Sequence, residues 1–130
     1  IGLPGHHALS HGTGKENGYE EWARYDRFLA TQLGYLLGRL GSTADPTQDG
    51  SLLDNTLVLY GGSTSRTHQA VNYPLILAGG NAMGIGHGRH RRFDESEYRL
   101  SDLYVTLLGQ LGLPVDRFAD STRSLSEILV

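Results

Sequence analysis

The chain is 130 residues long, carries a formal net charge of −3 and is 38% hydrophobic, which suits one domain with a real core and argues against a disordered chain. It contains no cysteine, so disulfides and thiolate metal sites are excluded. No Lys/Arg stripe runs through it and no apolar run is long enough to cross a bilayer, so neither a nucleic-acid partner nor a membrane span is expected.

Residues 1–18 read as a glycine- and histidine-rich loop with room for one short helical turn. From Tyr19 the pattern changes. Trp22, Tyr25, Phe28, Leu29, Leu33, Leu36, Leu37 and Leu40 recur at helical spacing, with Glu21, Arg24, Arg27, Gln32 and Arg39 on the other face. This predicts an amphipathic helix stopped near Gly41, with its aromatic stripe in the core. Turn-forming residues Ser42, Asp45-Pro46 and Asp49-Gly50 follow. Leu57–Tyr60 is a continuous apolar run, consistent with a strand buried on both faces. Pro74 introduces a second short strand, Leu75–Ala78, closed by Gly79-Gly80. Ser101 reads as the N-cap of a last helix, with Asp102 in its first turn and Leu103, Leu107, Leu108 and Leu111 on its apolar side; Gly112 and Pro114 end it. Asp120-Ser121-Thr122 reads as a turn or cap.

Helices alternating with buried strands imply an α/β layer structure. No repeat or linker is visible, so residues 1–130 read as a single, partial domain. Two strands are too few for a sheet covered on both faces, so further strands are expected from an N-terminal part or a partner chain. Beginning at Ile1, the chain reads as a fragment or processed product, and the lack of a visible signal peptide carries no weight.

The segment from Asp54 to His68 attracts chemistry first. An apolar run ends abruptly in Gly61-Gly62-Ser63-Thr64-Ser65-Arg66-Thr67-His68, and ligands of open α/β sheets bind beyond the carboxyl ends of strands. Ser63, Thr64 and Ser65 lack the G-x-S-x-G elbow of a nucleophile and read as turn formers or hydrogen-bond donors. Neutral imidazole is a common nitrogen ligand for zinc and similar ions. His7 and His11, four residues apart, would share one face of a helical turn and hold one ion, with His6 behind them. His68 would complete the site or donate a hydrogen bond to substrate, and Arg66 would contact an anion. The competing reading is that these histidines are exposed or bonded to backbone. Gly84-Ile85-Gly86-His87-Gly88, beside Arg89, His90, Arg91 and Arg92, has the composition of an anion cradle but lacks the flanking strand and helix, so a solvated loop is favoured.

Asp54-Asn55-Thr56-Leu57-Val58-Leu59-Tyr60 resembles the D/E-N-T-L-V strand of sulfatases, which runs into a Ser-Asp-His-Gly metal-site turn. Pro74–Gly80 resembles the next strand of that fold, and Leu100–Gly112 its D-L-x-x-T-L-L-x-x-x-G helix. The pattern is that of the alkaline phosphatase-like superfamily. His6-His7-Ala8-Leu9-Ser10-His11, Gly50–Thr56 and Phe118-Ala119-Asp120-Ser121-Thr122 resemble more closely an uncharacterised bacterial family, domain-of-unknown-function family 1552. The resemblance implies the C-terminal portion of a three-layer α/β/α sandwich, a secreted or periplasmic location, a divalent metal (zinc, calcium or similar) and a small anionic phosphate or sulfate ester as substrate. It also implies that the missing N-terminal part of the same protein carries the nucleophile, since nothing here resembles that segment. One departure stands out: Gly62-Ser63-Thr64 replaces the Asp-His pair, which fits a non-catalytic binding protein on the same fold. A purely structural metal is the third alternative.

Overall fold

The computed structural model describes residues 2–12, 15–65 and 68–130. It is a mixed α/β structure with helices α1 (His6–Gly12), α2 (Gly18–Gly41) and α3 (Leu100–Gln110) and strands β1 (Leu57–Gly61) and β2 (Leu75–Gly79). The chain divides into two compact units, one up to Arg39 and one from Leu40 to Val130.

In the first unit, α1 is the helical turn anticipated among the N-terminal histidines. Leu9, 2% exposed, is its buried anchor. The His6 ring sits 5.5 Å from both the Trp22 and Tyr25 rings, tying α1 to the start of α2. α2 has Glu20 and Glu21 in its first turn and Arg39 in its last, an arrangement that complements the helix dipole. Its apolar stripe is not a closed core. Trp22, Tyr25, Leu29, Leu33 and Leu37 are half-buried, while Phe28 and Leu36 are 39% and 46% exposed. The reason is length. At 1.5 Å per residue, α2 runs about 36 Å and the seven residues of α1 about 10 Å, so α1 covers only part of that face.

In the second unit, β1 and β2 pair antiparallel, from Leu57 opposite Gly79 to Gly61 opposite Leu75. Alternation sends Leu57, Leu59 and Leu77 to the core, where they pack on Ile85, Leu103, Leu107 and Leu125. Val58, Tyr60, Ile76 and Ala78 alternate onto the other face, and Ile76 is 48% exposed. The strands expected to be buried on both faces are therefore only half-buried, with Leu75 and Ile76 exposed. Gly79 lies at φ +74°, where a Cβ would collide with the carbonyl oxygens of Thr56 and Leu53. Only glycine fits that close approach.

α3 starts two residues earlier than Ser101 suggests. Arg99 is the N-cap residue, and its N–H donates to the Asp102 carboxylate at 2.9 Å. Ser101 lies inside the first turn and donates instead to Asp120 at 2.7 Å. The other end follows expectation. Gly112, at φ +75°, donates to Gly109 O (3.1 Å) and Leu113 to Leu108 O (2.9 Å), the Schellman pattern of a glycine stop.

Asp102 is fully buried, at 0% exposure. Besides Arg99, it accepts the N–H groups of Thr122 at 2.8 Å and Arg123 at 3.2 Å. One turn on, Thr106 Oγ1 accepts the Leu125 N–H at 2.6 Å. These bonds stitch the C-terminal segment along α3. Its last residues bond to the 84–86 loop through Gly86 N–H to Ile128 O (2.8 Å) and Val130 N–H to Gly84 O (3.0 Å). Burial raises the Asp102 pKa, but the three N–H donors and the Arg99 guanidinium outweigh it and hold the carboxyl below the usual carboxylate value.

Asp102→Ala leaves three part-buried N–H donors without their carboxylate and is expected to cost about 3 kcal/mol, read as a lower urea midpoint. Asp102→Asn keeps one oxygen acceptor and costs less. Because the folded pKa is depressed, this stabilisation is present above the unfolded carboxylate pKa and is lost as pH falls through the folded value. Wild type therefore loses stability in that acid range, and Asp102→Asn shows a smaller slope there. A second pair of variants separates collision from backbone strain. Gly79→Ala is expected to cost about 3 kcal/mol or more, whereas Gly88→Ala, also at φ +74° but with open space around it, costs only about 1 kcal/mol. Equal costs in thermal unfolding would contradict this.

Candidate functional site

α1 sorts its histidines by face. His6 sets its ring against Trp22 and Tyr25 of α2 and Leu9 is buried, while His7 and His11 lie one turn apart and exposed. Their ring centroids are 4.6 Å apart, with the planes inclined at 64°. Two imidazoles on one tetrahedral zinc, with Zn–N of about 2.0–2.1 Å, place their centroids roughly 5 Å apart. The observed centroid separation is close to that value. The Ser10 hydroxyl donates to His7 O at 2.8 Å, which secures the turn between them. Among the described residues, no group of three His, Cys, Asp or Glu side chains converges as a metal site.

The loop after β1 takes its meaning from the strand direction. In an antiparallel pair, the carboxyl end of β1 lies beside the amino end of β2, so residues 62–74 are the connection of a long hairpin. The rule about carboxyl ends was built on parallel sheets and does not by itself make this loop a site. Ser63, Thr64 and Ser65 are exposed, and Ser65 N–H donates to Gln69 O at 2.8 Å. His68 stands on this loop in the second unit, exposed, with a left-handed φ of 62°. Arg66 lies outside the described residues.

The residues leading into β1 brace the sheet. Asp54 accepts the Ser51 N–H (2.8 Å) and hydroxyl (2.7 Å) on one oxygen and the Asn81 amide (3.0 Å) on the other. The backbone bond from Ser51 is the largest of the effects that hold its pKa low, ahead of the Ser51 hydroxyl and Asn81. Asn55 donates to Asp45 and to Asp49 O, both at 3.1 Å. The Asp-Asn start of the motif thus ties the loop before β1 to the turn after β2. The Ser51-x-x-Asp54 spacing is a capping-type signal that a sequence reading can find.

The Gly84–Gly88 stretch is structural over its first part. Ile85 is a core residue at 3% exposure. The His87 Nε2 lies 2.7 Å from Gly79 O, and since a carbonyl only accepts, Nε2 carries the proton. Arg89, His90, Arg91 and Arg92 are exposed, as expected for a solvated run. Asp120-Ser121-Thr122 serves as the turn that reaches α3: Ser121, 4% exposed, closes it by accepting the Phe118 N–H at 2.8 Å.

No family model matches the chain, and neither the curated proteins nor the solved structures contain a significant match to it.

The geometry of α1 predicts metal capture. Equilibrium dialysis with zinc should show binding that drops at least about tenfold in His7→Ala and in His11→Ala and is unchanged in His90→Ala. Identical isotherms for all four proteins would contradict it.

Proposed function

We propose that the chain is the C-terminal portion of an alkaline phosphatase-like α/β/α sandwich, in a secreted or periplasmic protein that hydrolyses a phosphate or sulfate ester with metal assistance. The observation that carries this reading is the exposed His7–His11 pair on one face of α1, at a spacing suited to a shared ion. A divalent metal held there would polarise a phosphoryl or sulfuryl oxygen, or lower the pKa of a bound water. His68 would add a ligand or a hydrogen bond to substrate, and Arg66 a contact to its negative charge. The nucleophile would come from the remainder of the protein. The antiparallel β1–β2 pair, with its apolar second face, supports a larger sheet as its setting.

One observation favours a second reading. Ser63 and Thr64 stand where the sulfatase pattern has Asp-His, and neither supplies a strong metal ligand at neutral pH. On that reading the fold persists as a non-catalytic surface-binding protein. Assay of the longer protein carrying this chain on aryl phosphate and aryl sulfate esters separates the two. The hydrolase reading expects turnover that a chelator abolishes, and a fall of at least about 100-fold in kcat/KM for His7→Ala or His11→Ala, since a Lewis-acid metal contributes several kcal/mol. Full turnover without either imidazole overturns that role for the pair. No turnover, with metal still bound, favours the binding protein; metal loss that also unfolds the chain marks a structural ion.

A further inference from the structure

The polar back of α2 carries a feature that the hydrolase reading does not use. Arg24, Arg27 and Thr31 follow one another at helical spacing and share one side of the helix. With Leu3 and Phe28 they line an open groove of about 390 Å³ in the first unit. Both arginines are exposed, and among the described residues neither guanidinium has an ion pair or a hydrogen bond. The Thr31 hydroxyl donates to Arg27 O at 2.8 Å, so toward a ligand it is an acceptor. Glu20 and Glu21, one turn before Arg24, form no ion pair with it.

We propose that this groove is a binding site for an amphipathic organic anion: a sulfonate, sulfate, phosphate or carboxylate attached to an aromatic or aliphatic body. The two guanidiniums, one turn apart, present planar forks of N–H donors to the anionic head, a geometry that suits oxyanions better than a point charge does. Leu3 and Phe28, the latter 39% exposed, offer the apolar body a surface that would otherwise face water. Neither half suffices alone. Exposed arginines hold inorganic anions weakly, and a shallow apolar groove holds neutral molecules weakly; a ligand with both parts gains from both.

Anilinonaphthalene sulfonate is the probe, titrated by fluorescence into the full chain, with the uncharged phenylnaphthylamine as its comparison. One saturable site is expected, weakened by added salt. Arg24→Gln and Arg27→Gln should each weaken it roughly three- to fivefold, and the double variant roughly tenfold or more, as for solvent-accessible ion pairs. Phe28→Ala should weaken both dyes, and circular dichroism of each variant should show α2 intact. Equal affinity for the charged and uncharged dyes would overturn the proposal, as would unchanged binding in the double arginine variant. Neither readout depends on ester hydrolysis or on His7 and His11, so the groove and the hydrolase reading stand or fall separately.

Discussion

A single buried carboxylate holds the second unit in its shape. Asp102 gathers the N–H groups of Arg99, Thr122 and Arg123, and so fixes both the start of α3 and the path of the last residues of the chain. Burying a charge is expensive unless its hydrogen-bonding capacity is met, and here protein donors meet it. The consequence reaches the core. Leu125 is buried beside Leu103 and Leu107 because the residues before it are pinned to α3, and Ile85 is covered on the side where Leu129 bridges to it. By contrast, the Arg99–Asp120 ion pair at 3.3 Å is solvent-exposed and adds little.

The same device recurs elsewhere. Asp45, Asp54 and Asp94 each accept N–H and hydroxyl groups from residues a few positions away, and each has its pKa held low by those bonds. These aspartates therefore serve to close loops. The imidazoles of His7 and His11 are different, being exposed side by side on a helix whose packing is left to His6 and Leu9. In the second unit, the carboxylates of Asp45, Asp54 and Asp94 are committed to the fold, and the proposed chemistry therefore rests on the imidazoles of the first unit.

Local patterns were legible in the sequence and long-range ones were not. Periodicity located α2 and α3, and Gly112 marked the stop of α3 because a left-handed residue there completes a backbone pattern within five residues. Apolar runs bounded by turn residues located β1 and β2. The antiparallel pairing was not legible, since a short apolar run looks the same in either direction. Asp102 was visible as a first-turn acid, but its bonds to residues 20 and 21 positions away leave no local trace. The aromatic stripe of α2 illustrates a different limit: periodicity shows which face is apolar, not how much of it the chain covers. At the candidate site, the His7–His11 pair was legible from spacing alone, because a helix fixes which residues meet. Convergence with His68 is a tertiary matter that spacing does not encode.

X-ray absorption at the zinc edge, on protein loaded with one equivalent of zinc, tests the chemical account most directly. The account predicts a first shell containing two imidazole nitrogens at about 2.0 Å, with the multiple-scattering signature of the rings. A shell of oxygen ligands alone would contradict it, and would remove His7 and His11 from any role as metal ligands.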